Sequence, residues 1–127
     1  MNQSYELLIH KTFQTQALGL KARNPRIEDA LIAALQEISA DPFPGAMQGV
    51  ITPRLQGVIH KKHVGGRKGH RLIYLYPKGS KFVIPVFISP TPKPPFDYDQ
   101  VDWEEICKGF FKDYTSKNYS AFISWKK

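Results

Sequence analysis

A chain of 127 residues has the length of one domain, and 42% hydrophobic residues with 13% aromatics supply a core able to bury roughly two thirds of the unfolded surface. The single cysteine, Cys107, excludes an internal disulfide and a cysteine metal cluster, and no apolar run approaches the roughly 18 residues of a membrane span. Eighteen Lys and Arg against 11 Asp and Glu leave a net charge of +7, which favours a polyanionic partner without choosing among nucleic acid, anionic lipid and acidic protein.

With no charged-then-apolar leader at the start, the expectation is a soluble protein of a reducing compartment. Tyr5 to His10 reads as a partly buried first strand. Thr12 is placed to cap a short helix carrying Phe13, Ala17 and Leu20 on one side, weakened by Gly19. A second helix has Asn24 as N-cap and Pro25 at its first position. Ile27, Ala30, Leu31, Ala34, Leu35 and Ile38 follow the rhythm of a core-facing helix, and Asp41-Pro42 ends it.

Phe43 to Pro53 reads as a loop, and Leu55 to Val64 as a strand. Gly65 to Gly69 is the turn into a strand from His70 to Tyr76, and Pro77 to Ser80 turns again. Phe82 to Ile88 is apolar on both faces, and Pro85 predicts an edge position or a bulge there. Pro90 to Pro95 is a stiff connector. Asp102 resembles an N-cap with Glu105 completing a capping box, ahead of an apolar face of Trp103, Ile106, Cys107, Phe110, Phe111 and Tyr114. Tyr119 to Trp125 is apolar enough to add a strand or pack on the core. The order of elements predicts an α+β fold with a mainly antiparallel sheet, helices on one face and basic groups on the other.

The chemistry gathers in the hairpin His60-Lys61-Lys62-His63-Val64 … His70-Arg71. Strand side chains alternate between faces, so Lys61 and His63 share one, and the next strand can bring Arg71 to them. A proton acceptor, a proton donor and a fixed cation on one rigid sheet are parts for phosphodiester chemistry on RNA. Plainer uses stand beside this reading. Lys61, Lys62, Arg67 and Lys68 also suit a solvated hairpin surface, and Arg71 a salt bridge across the sheet. No Cys or carboxylate sits at zinc-ligand spacing here. Gly65 to Gly69 lacks the Gly-Lys-Ser/Thr ending of a phosphate loop.

Taken in order, Tyr5-Glu6-Leu7-Leu8-Ile9, the Ala30–Ile38 helix ending in Asp41-Pro42, Leu55-Gln56-Gly57, Lys61-Lys62-His63-Val64-Gly65 and Gly69-His70-Arg71-Leu72-Ile73-Tyr74 resemble the RelE/ParE superfamily of bacterial toxins. The likeness covers residues 5–89 as a core and leaves 90–127 as a C-terminal extension of a single RelE-like domain. It implies a small sheet with two N-terminal helices and cytoplasmic action, while the C-terminal helix that follows Asp102 lies in the extension. In the RelE-like branch it implies metal-independent, cofactor-free cleavage of mRNA on the ribosome, with translation inhibited until a cognate acidic antitoxin binds. The ParE-like branch implies instead a non-enzymatic inhibitor of DNA gyrase, and a catalytically silent binding relative is a third reading.

By position, the resemblance implies catalytic roles for Lys61 and His63 before the turn and for Arg71 after it. His63 is the general base, since imidazole titrates near neutrality, and Arg71 the fixed charge on the phosphate. Lys61 serves as base only with its pKa depressed by neighbouring cations. Tyr98 stacks on a base or donates a proton. His60, Lys62, Arg67, Lys68, His70 and Lys93 complete an RNA-binding surface. The chain departs from the family in a longer Gly65–Gly69 turn, in prolines where a basic residue follows the last strand (Lys93 is the nearest substitute), and in its last thirty or so residues.

Overall fold

The computed structural model describes residues 5–41, 50–52, 57–65, 69–89 and 102–124. Strand β1 (Glu6–His10) leads directly into α1 (Lys11–Arg23), then α2 (Ile27–Ala40). Strands β2 (Val50–Thr52), β3 (Gly57–Val64), β4 (His70–Pro77) and β5 (Phe82–Ile88) follow, then α3 (Trp103–Thr115), a 3₁₀ turn (Tyr119–Ala121) and β6 (Phe122–Ser124). The fold is α+β, with six strands in the order β2-β3-β4-β5-β1-β6. All pairings are antiparallel except β1 with β5, the one parallel contact among the described residues.

Two apolar clusters lie on opposite faces of the sheet. Leu7, Ile9, Val64, Leu72, Tyr74, Val83 and Ile88 meet Phe13 and Leu20 of α1 and Ile27, Leu31, Ala34, Leu35 and Ile38 of α2. The other face buries Ile59, Ile73, Leu75, Ile84 and Val86 against Cys107 and Phe110 of α3 and Phe122 of β6. Ile38, Leu72, Tyr74, Leu75 and Val83 are 0% exposed. Each aliphatic side chain so buried contributes about 1.5–3 kcal/mol relative to water.

Several sequence expectations are corrected here. The cap of α1 is His10 rather than Thr12, with the Thr12 N–H donating to His10 Nδ1 at 3.1 Å. Helix α2 starts at Ile27, two residues past Pro25, because Asn24 and Pro25 form a turn whose carbonyls accept from Ile27 and Glu28. The stretch read as a loop from Phe43 to Pro53 contains β2, held by Val50 to Thr52 pairing with Ile59 to Gly57. On the expected apolar face of α3, Ile106 is exposed while Cys107 and Phe110 are buried. Pro90 to Pro95 lies outside the described residues.

Pro85 does mark a bulge. Opposite it, Ile73 pairs with Phe87 and the next residue, Tyr74, with Pro85, so β5 carries one extra residue. It does not mark an edge, because β5 sits between β4 and β1. The Asp102 cap is as expected, its side chain accepting from Glu105 N at 3.1 Å. At the other end of α3, Asp113 lies 2.6 Å from His10 Nε2. The His10 ring also stands edge-on to Phe110 and Phe122, so one residue ties β1 to α3 and β6.

Candidate nucleic-acid interface

The β3–β4 ribbon sets the geometry. Its register pairs His63 directly with Arg71, Lys61 with Ile73, Lys62 with Leu72, His60 with Tyr74 and Val64 with His70. Odd-numbered residues of both strands therefore share the α3 face with Ile59, Ile73 and Leu75. Lys61 and His63 are exposed there, and Arg71 is partly exposed. A direct cross-strand pair holds its Cβ atoms about 4.5–5.5 Å apart, and a diagonal pair such as Lys61 and Arg71 about 7–8 Å. His63 and Arg71 thus stand side by side on the ribbon, with Lys61 one diagonal step from Arg71 on the same face.

Even-numbered residues go to the other face. His60 and His70 are 6% and 3% exposed, turned toward the layer of α1 and α2. His60 stacks on Tyr74 with ring centroids 5.6 Å apart, and burial pushes its pKa below the usual imidazole value. The Tyr74 hydroxyl is shifted upward by burial and by Asp41. His70 Nδ1 bonds the Ser89 carbonyl at 2.8 Å. Lys62 Nζ reaches Glu37 of α2 at 2.6 Å. The expectation that His60 and His70 belong to an RNA surface is corrected by this burial, because alternation sends them to the helix-covered side, where Lys62 stays partly exposed. Tyr98, Arg67, Lys68 and Lys93 lie outside the described residues.

The turn before β4 shapes the position of Arg71. Gly65 has φ 83°, a left-handed conformation natural to glycine. Gly69 approaches so close to the Val64 carbonyl that a Cβ there would collide with backbone. The carbonyl of Gly69 accepts from Arg71 Nη1 at 2.7 Å, with a longer contact to the His70 carbonyl at 3.4 Å. The side chain of Arg71 is thereby folded toward its own turn.

Three contributors were not singled out from the sequence. Glu37 fixes Lys62, Gly69 receives the arginine, and Ser89 bonds the main chain of Arg71. Gly69 had a visible signal as the last glycine before the strand. Glu37 and Ser89 had none, since their partners are 25 and 18 residues away in the chain.

Among the described residues no group of three or more His, Cys, Asp or Glu is placed to hold a metal ion, and no helix is long and apolar enough to cross a membrane. Comparison with protein-family models, with curated proteins and with solved structures finds no match.

Proposed function

We propose that the chain is the toxin of a toxin–antitoxin pair and acts as a metal-independent, ribosome-dependent mRNA endoribonuclease of the RelE-like kind. The observation that carries this reading is the register that sets His63 opposite Arg71 with Lys61 two residues away on the same face. In the reaction the 2′-oxygen of a ribose bonds to the adjacent phosphorus, and the bond from phosphorus to the 5′-oxygen breaks. His63 takes the 2′ proton, and the cations of Arg71 and Lys61 oppose the extra negative charge on the phosphoryl oxygens. The leaving 5′-oxygen takes a proton from solvent water and the His63 imidazolium returns its proton to solvent, leaving a cyclic phosphate and a 5′-hydroxyl.

The charge of +7 suits both a polyanionic substrate and an acidic antitoxin laid over the basic face. Action in the cytoplasm belongs to the same reading, because the substrate is translating mRNA. The test is induced expression in bacteria, with primer extension on endogenous mRNA and a gyrase supercoiling assay on the purified chain. Cuts confined to translated reading frames support the nuclease. Lost supercoiling with intact mRNA moves the protein to the gyrase inhibitors, and neither effect leaves a silent binder.

A further inference from the structure

Ser89 follows β5 directly and lies opposite Arg71, and it is 0% exposed although polar. Three of its bonds go to two consecutive residues of β4, His70 and Arg71. Its N–H donates to the Arg71 carbonyl at 2.9 Å. Its Oγ accepts from the Arg71 N–H at 2.8 Å. Its own carbonyl lies 2.8 Å from His70 Nδ1. A regular antiparallel pair of this kind exchanges two backbone bonds. Here the side-chain oxygen replaces one of them, and the displaced carbonyl turns to the histidine ring. A carbonyl only accepts, so the hydrogen of that bond sits on Nδ1 of His70.

The arginine is therefore gripped from two directions. Ser89, backed by the buried His70, fixes its main chain from the β5 side, and the Gly69 carbonyl holds its guanidinium from the turn side. An arginine side chain loses much of its rotamer freedom when it is ordered. A group already ordered does not bear that cost when charge develops on a substrate.

We infer that Ser89, locked by His70, is a positioning residue that presents Arg71 to the scissile phosphate opposite His63. The inference rests on the nuclease reading and assigns His70 a buried supporting role in place of RNA contact. Ser89 itself touches no substrate. Its effect on the reaction passes through the main chain of Arg71, and the double variant distinguishes this from a general loss of stability.

The experiment measures kcat and KM on ribosome-programmed mRNA for the full chain and for Ser89→Ala, Arg71→Ala and the double variant, with thermal melting of each. Ser89→Ala is expected to lower kcat about tenfold or more with KM little changed, as for a catalytic group displaced by a fraction of its reach. In the Arg71→Ala background the same substitution should have no further effect. His70→Asn, which keeps a donor near the Nδ1 position, should retain more activity than His70→Leu. Full activity of Ser89→Ala, or losses that add in the double variant, would overturn the inference. Should Ser89→Ala fail to fold, the His70 pair decides in its place, equal activity of the two counting against the clamp. Nitrogen NMR of the Arg71 guanidinium separates this inference from the nuclease reading. If the wild type cuts no mRNA, that reading falls, and an Arg71 signal that broadens or shifts in Ser89→Ala upholds the clamp, whereas an unchanged signal removes it.

Discussion

The two faces of the β3–β4 ribbon carry the same residue types and put them to opposite uses. On the α3 side Lys61, His63 and Arg71 reach solvent at the end of the sheet. On the α1 and α2 side His60 and His70 are buried and Lys62 is tied to Glu37. Nothing about lysine or histidine decides between these fates. Parity along the strand does, together with which face the first two helices cover.

The largest break of this comparison is Leu72→Ala. Leu72 is 0% exposed on the helix side, and its loss should cost about 2–5 kcal/mol in urea unfolding, removing any activity only through the fold. A cost below about 1 kcal/mol would contradict a packed layer there. Next, on the opposite face, Arg71→Ala should cut mRNA cleavage by about 10²–10³, the scale of one lost oxyanion donor. Its melting temperature should stay close to the wild type. Full toxicity in cells would remove Arg71 from the site.

The smallest effect sharpens the contrast between the histidines. Burial lowers the pKa of His60, so the unfolded chain binds that proton first as pH falls below the ordinary 6.5. Stability from this group is complete above 6.5 and declines on acidification until the folded pKa is passed. His60→Phe, which keeps a ring against Tyr74, should flatten that slope in urea unfolding measured between neutral and acid pH. An unchanged slope would assign the acid sensitivity to other groups.

Local signals in the chain foretold several elements that depend on neighbours in sequence, although they placed the caps of α1 and α2 two residues from where they lie. The rhythm from Ile27 to Ile38 foretold the buried face of α2, and Asp102 with Glu105 foretold the start of α3. Pro85 foretold a bulge because a proline lacks the donor a regular ladder needs. The sharing of a face by Lys61, His63 and Arg71 was legible from alternation and a tight turn. The parallel pairing of β1 with β5 was not, since it joins segments more than 70 residues apart and leaves no pattern in either. The three-residue β2 was too short to show a period.

By its own pattern, then, the chain determined which segments become helix and strand, and that one imidazole, one ammonium and one guanidinium stand together on a ribbon. Tertiary structure alone decided which side of that ribbon meets α1 and α2, and so withdrew His60 and His70 from solvent and paired Lys62 with Glu37. It alone brought Ser89 to Arg71. The reason is physical: period and capping are set by bonds reaching a few residues, whereas burial depends on which distant apolar surface arrives to exclude water.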